Sequence, residues 1–373
     1  MARLTRAQQQ ERTRAAVLAA AREEFAERGY TDAKVDRIAE RAELTRGAVY
    51  SNFPSKRALY LAILTDSIEH AGTDTGADTG TGGAAPSPGL ADTLGAFARI
   101  WLERLPLTSD TPSGQKPQPR SLAGLFEDEP GRTALAQVTR LEALLLALAL
   151  ESREPQEARR VRLAELALTL VNGADHLADT APGFGDPFDL ARACRHLAGL
   201  DLADTWNPPH LPYITPAHLV QDDWEPPAEM TDHITGRPVG FEPDGVIAVL
   251  GTGRLEAAEE AVRAARPGDR ITVAVVTSDP AEVGRLVRLR IGDITSCLRR
   301  VVPEDSWPAP HLVLDDGAAI ASAIGIPDVG DSTEAAVRVQ AGRIFARAHG
   351  RGAAYAVAIA GETTTARTGE AGR

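Results

Sequence analysis

Between Lys34 and Lys56 the chain gathers the side chains best able to grip a phosphodiester backbone and read base edges. Lys34 and Lys56 are two of only three lysines in 373 residues, and Arg46 stands between them. Thr45, Tyr50, Ser51 and Asn52 add hydroxyl and amide groups, and Gly47 leaves room for close approach. Cations and hydroxyls hold phosphates, and side chains with paired donors and acceptors read bases. Competing chemistry is thin. The eight histidines are scattered, with no His-Glu-x-x-His and no paired cysteine ligands, so no metal is expected. No Gly-x-Ser-x-Gly turn marks a nucleophile, so no catalytic residue and no cofactor is expected.

The elements that must position this cluster are short helices. Val17, Leu18, Ala21 and Phe25 form an apolar stripe that stops at Gly29, a residue suited to a left-handed cap. Val35, Ile38, Ala39 and Ala42 offer a second helix to the same core. Thr45 can cap a third, Arg46–Phe53, which Pro54 ends; Ser55 can cap the next. Two short helices joined by a tight turn, the second led by small and polar residues, form a helix-turn-helix.

The stretch VDRIAERAELTRGAVYSNFPSKRAL, with the helix before it, resembles the TetR family of bacterial repressors over residues 12–64. It departs at Glu43, where that family usually has glycine, and at Ala33-Lys34, where hydroxyl residues are usual. The resemblance implies that Thr45, Arg46, Ser51 and Asn52 face the major groove or its edge. It implies that Tyr50, Lys56 and Lys34 hold phosphates.

Charge agrees once it is divided. Residues 1–60 carry 12 basic and 8 acidic residues, a net of +4, against −12 for the whole chain. A basic head on an acidic body favours DNA at the head alone. Two cysteines, Cys194 and Cys297, fit a reducing compartment and cannot frame a disulfide-rich fold. No leader is visible in the Arg-, Gln- and Glu-rich start. The most apolar run, Leu141–Leu150, is about half a membrane span. The expected setting is the cytoplasm, without a membrane partner.

The expected architecture is multi-domain. An all-α N-terminal two-thirds comprises a helix-turn-helix head (1–70) and a helical effector and dimerisation domain (89–200). A Pro-rich linker (205–243) leads to a thioredoxin-like α/β domain (244–360). A Gly/Thr/Ala tract at 71–88 reads as a mobile loop. Family resemblance implies a homodimer built from helices near 156–178 and 188–199, and an unknown small-molecule effector. Phe97, Trp101, Leu125 and Phe126 are candidates for lining its cavity, with core packing the competing role.

In the tail, Val246–Leu250, Ile271–Val276, His311–Leu314 and Ala354–Ile359 read as strands, with a helix at 333–348. The segment WPAPHLVLDDGAAIASAIGI resembles a thioredoxin-like or peroxiredoxin-like fold, with Pro310 as its cis proline. That resemblance puts Gly251-Thr252-Gly253-Arg254 where redox cysteines belong, and none is there. A rival reading takes this turn as a phosphate cradle, though Glu256 stands where the third glycine is needed. Two functions for the tail stay open beside an accessory domain: a redox sensor or enzyme with its own DNA address, and a protein-docking module.

Overall fold

The computed structural model describes residues 5–74, 89–103, 122, 125–152, 159–181, 183–208, 210–303 and 310–361. Most of the tract expected as a mobile loop, from residue 75 to 88, lies outside them. In chain order the helical elements are α1 (Arg6–Asp32), α2 (Val35–Arg41), α3 (Arg46–Asn52), α4 (Lys56–Asp74), α5 (Leu90–Leu102), α6 (Glu129–Glu151), α7 (Val161–Thr180) and α8 (Pro187–Leu197). Then come β1 (His218–Asp223), β2 (Met230–Thr231), β3 (Pro238–Val239), β4 (Gly245–Gly251), α9 (Ala257–Ala264), β5 (Arg270–Val276) and α10 (Arg285–Arg299). The chain continues with β6 (His311–Leu314), α11 (Ala319–Ala323), β7 (Glu334–Gln340), β8 (Arg343–His349) and α12 (Ala353–Ala358).

Two compact units form, and neither follows chain order. The first joins Met1–Glu129 with Leu166–Leu200 and Ala281–Val301; the second joins Pro130–Glu165 with Asp201–Pro280 and Val302–Arg373. The helical unit is built on the stripe read from α1. Val17, Ala21 and Phe25 are buried with Ile38, Val49, Phe53 and Leu59. The rings of Phe25 and Tyr60 meet edge-on at 4.9 Å. Gly29 turns the backbone at φ +69°, as the end of the stripe requires. Helix α5 packs on α8, where Gly95 lets the stem of Arg195 come close.

Helix α10 is the unexpected member of this unit. It lies between two strands in sequence, yet packs against α4 and α5. Gly292 brings it so near Ile68 that an added Cβ would sit 3.3 Å from that side chain. The helical head therefore takes part of its cover from the tail.

The second unit holds a six-stranded sheet of order β1-β8-β7-β4-β5-β6. Strands β4, β5 and β6 run parallel, and β7, β8 and β1 extend the sheet antiparallel from β4. The seven residues of β4 and the last six of β5 are buried, as fits strands covered on both faces. Helix α6 is long and apolar enough to cross a bilayer, but Leu141, Leu144, Leu145 and Leu148 are buried within the protein.

Four sequence expectations are corrected here. The span 333–348 is a hairpin and not a helix: Ala341 and Gly342 take φ +51° and +71°, the left-handed pair that a two-residue hairpin loop needs. Buried Ile344, Ala346 and Ala348 alternate along β8, although alanine and arginine are also good helix formers. The stretch 354–359 is no strand: residues 354–358 belong to the helix α12, and Ile359 is its C-cap. The supposed linker 205–243 supplies β1 and the β2–β3 hairpin, and Trp224 and Phe241 from it are buried in the sheet core. Their burial is what held the Pro-rich segment against a surface.

The fourth correction concerns Pro310. Strand β6, which follows it, pairs among the described residues with β5, so β5 separates it from β4 and from the Gly251–Arg254 turn. Ala309 lies outside the described residues, and with it the Ala309–Pro310 bond expected to be cis. The turn abuts the loop before β7 instead. Gly253 N–H donates to the Asp331 carbonyl at 2.8 Å, and a Cβ at Gly251 would collide with the carbonyls of Gly330 and Asp331. The glycines are there to admit that loop.

Candidate nucleic-acid interface

The turn between α2 and α3 is made by Glu43, whose φ of +55° is the conformation glycine adopts most easily. Thr45 then caps α3: its hydroxyl accepts from Ala48 N–H at 3.2 Å. Only Val49 of α3 is buried, with Phe53 beyond its end. Thr45, Arg46, Gly47, Tyr50 and Ser51 are left exposed along one short helix, with Lys34 exposed at the start of α2.

The exposed groups are held on local partners. The Arg46 guanidinium lies 3.3 Å from Asp36 and stacks over the Tyr50 ring at 5.4 Å. Bonding to Tyr50, and then the Asp36 charge, holds its pKa above the ordinary arginine value. Ser51 Oγ and Asn52 Nδ2 both donate to the Ala48 carbonyl, at 2.9 and 2.8 Å. Asn52 is only half exposed, with its Nδ2 committed to that carbonyl.

Lys56 is the first residue of α4. Its ammonium donates to the Thr31 carbonyl at 3.0 Å and sits 4.7 Å from the Tyr30 ring centroid. Burial lowers its pKa, partly offset by Asp32. It ties the end of α1 to the start of α4, and two further N–H donors remain for a phosphate.

Sequence reading missed the groups that brace this surface. Glu24 is fully buried and takes Arg28, Arg41 and the Lys34 backbone N–H, at 3.3–3.4 Å, so it ties α1 to α2. Phe53 is covered by two guanidinium groups, Arg14 at 4.7 Å and Arg285 of α10 at 5.6 Å. Ser55 caps α4 through Ala58 N–H, as expected, and its hydroxyl also bonds Glu282. Arg57 pairs with the same Glu282 and with Asp128. Nothing local in the sequence signals Glu282, which lies 225 positions from Arg57.

Elsewhere, Phe97, Trp101, Leu125 and Phe126 are all buried in the helical unit. Trp101 Nε1 donates to Asp175 at 2.8 Å, and Arg57 stacks over Phe126 at 5.0 Å. The phosphate-cradle reading of Gly251–Arg254 is excluded by its own hydrogen bonds. Residues 251–254 all spend their backbone N–H groups on carbonyls, those of Thr333, Val276, Asp331 and Gly251. No amide is left to face an anion.

These two helices, the tight turn and the exposed second helix define a helix-turn-helix head. Residues 17–63 match the family model of bacterial regulatory proteins, tetR family. The chain is 42% identical over 57 residues to the HTH-type transcriptional activator FasR of Mycolicibacterium smegmatis, covering 15% of this chain and 26% of FasR. It is 45% identical over 64 residues to the HTH-type transcriptional regulator SrpR of Pseudomonas putida, 17% of this chain and 30% of SrpR. The matches thus span less than a third of either relative. Among solved structures, reduced NemR of E. coli aligns with 50% of this chain and 96% of its own, at 23% identity and a TM-score of 0.34.

Proposed function

We propose that this chain is a sequence-specific DNA-binding transcriptional regulator, a ligand-responsive repressor that acts as a cytoplasmic homodimer on two-fold operators. The observation that carries the reading is α3 itself. It is capped by Thr45, anchored by Val49, and presents Thr45, Arg46, Gly47, Tyr50 and Ser51 outward beside Lys34. Lys34, Tyr50 and Lys56 serve the phosphates, and Arg46, with Asn52 once released, reads bases.

Dimerisation is supported by α7. Leu166 and Leu177 are exposed and Leu170 half-buried, and their spacing of four and seven puts them with Gly173 on one stripe. An uncovered apolar stripe of this kind fits a two-fold partner helix. An effector in the helical unit would engage Phe97, Trp101, Leu125 and Phe126 and act by favouring a head spacing that mismatches the operator.

The tail we read as a thioredoxin-like variant. The turn after β4 lies against the loop that opens β7, with Gly330 and Asp331 in the place first given to Pro310. The redox-sensor alternative gains nothing from the cysteines: Cys194 and Cys297 are both fully buried, and burial pushes the Cys194 thiol up to about 11.

The deciding experiment is selection of bound sequences from a random duplex pool by the full-length protein, followed by affinity measurement against salt. The expected result is an enriched inverted repeat, with a log–log salt slope that falls by about one for each phosphate contact removed. Recovery of no sequence preference at low salt would overturn the reading.

A further inference from the structure

The α/β unit contains a cavity of about 250 Å³ beside α9, bordered by Trp206, His210, Glu256, Glu259, Glu260 and Arg351. Most of its charges are already matched. Glu259 is held by Arg263, and Glu256 by Arg140 and Arg254. Two charges are the exceptions, the exposed guanidinium of Arg351 and the buried carboxylate of Glu260. Glu260 is 3% exposed, and its Oε1 meets His210 Nε2 at 2.8 Å, while its Oε2 has no hydrogen-bond partner. His210 Nδ1 is buried and equally unpartnered.

The chemistry of these two atoms follows from that single bond. A carboxylate only accepts, so the His210 proton sits on Nε2, and Nδ1 is left as a bare lone pair. Burial and the neighbouring Arg351 lower the His210 pKa, which keeps the ring neutral. Two residues of the cavity wall therefore each carry a buried acceptor, one of them anionic, with no hydrogen-bond partner. Buried acceptors left unmatched are costly, and an N–H-bearing cation satisfies both at once.

We propose that this cavity binds a small organic cation with at least two N–H donors, of the amidinium or guanidinium class, held by Glu260 Oε2 and His210 Nδ1. The Trp206 indole forms an aromatic wall beside it. All the residues that border it belong to the second unit.

Protonation sets the working range. Burial, with the carboxylates of Glu334 and Glu256, raises Glu260 to about 7, against the pull of Arg254 and Arg351. Below that pH the carboxyl is neutral, and a cation must displace its proton. Affinity therefore falls about tenfold per unit as pH drops below 7 and levels off above 8.

Calorimetric titration of the full-length protein with benzamidine tests this, with neutral benzamide and anionic benzoate as controls. Benzamidine is expected to bind at pH 8 and to weaken about tenfold at pH 6, and neither control should bind. Glu260→Gln should cost at least about tenfold in benzamidine affinity. Arg351 is exposed and has no hydrogen-bond or ion-pair partner among the described residues, so Arg351→Gln leaves the fold intact. That change should tighten benzamidine about two- to fivefold by removing a like charge. Unchanged affinity in Glu260→Gln overturns the proposal, as does benzoate binding that Arg351→Gln abolishes, or no heat from benzamidine. Should Glu260→Gln not fold, the pH series and Arg351→Gln decide alone.

Discussion

Glu43 holds a left-handed backbone that its Cβ resists, at a cost of roughly 1 kcal/mol against glycine. Its side chain is exposed, so nothing packed is lost on removing it. Glu43→Gly should therefore raise stability by about 0.5–1 kcal/mol, read from chemical denaturation, with DNA affinity unchanged or better. A loss of stability would mean that the carboxylate has a role its exposure does not show. Asp36, ten positions before Arg46, pairs with the guanidinium that we propose reads bases. Asp36→Ala frees that guanidinium and removes a negative charge from the DNA-facing surface. Operator affinity should rise a few-fold, whereas Arg46→Ala should relax base preference at one position and cost roughly 1–3 kcal/mol there. Equal losses on all sequences for Arg46→Ala would place Arg46 on phosphate instead.

Elements formed by neighbours in sequence were legible and those formed at a distance were not. The head could be read because its signals are local: a stripe ending at Gly29, hydroxyl caps at Thr45 and Ser55, and a tight turn between helices. The β7–β8 hairpin was misread because alanine and arginine suit both helix and strand, and a two-residue turn at Ala341-Gly342 is a faint mark. The partner of β4 on its antiparallel side, and of α4 on its tail side, depend on pairings that no window of sequence contains. Arg338 shows what such pairing entails. It is 5% exposed on β7 and bonds both oxygens of Asp269, at 2.9 and 2.8 Å, together with the carbonyls of Val357 and Ala358. Removing it takes the paired guanidinium from a mostly buried carboxylate, which keeps the Arg266 N–H as a donor, so Arg338→Ala should destabilise the protein by about 3 kcal/mol. A shift in thermal midpoint no larger than that of a surface arginine would refute this. Gly292→Val is the matching probe of the α4–α10 contact, where overpacking against Ile68 should cost about 1–3 kcal/mol.

For the molecule as a whole, the sharing of α10 changes what truncation means. By charge alone, a basic head on an acidic body implies that removing 244–373 leaves operator binding nearly intact. With α10 packed on α4, and Glu282 pairing with Ser55 and Arg57, the same deletion uncovers the head. The truncated chain should unfold at lower temperature and lose operator affinity in step with its folded fraction. Retention of full stability would show that the tail is dispensable. Overall stability also carries a pH signature from Glu260. Its folded pKa of about 7 stands above the ordinary carboxylate value of 4.5, so the folded state binds the proton more tightly. Stability from this group is therefore greatest below the ordinary value and declines as pH rises toward 7. Relative to the natural protein, Glu260→Gln should gain stability between about pH 5 and 8, and a flat difference across that range would contradict the assignment.

The bond between Arg57 and Glu282 also sets a schedule. Synthesis runs at roughly 5–20 residues per second, so the 225 residues between them take roughly 10–45 s to emerge. Throughout that interval a nascent chain carries α3 and α4 without the segment that covers them. A head that leaves the ribosome before its cover is thus finished only when that cover arrives. Chaperone access, proteolysis and premature association with DNA all fall within that window.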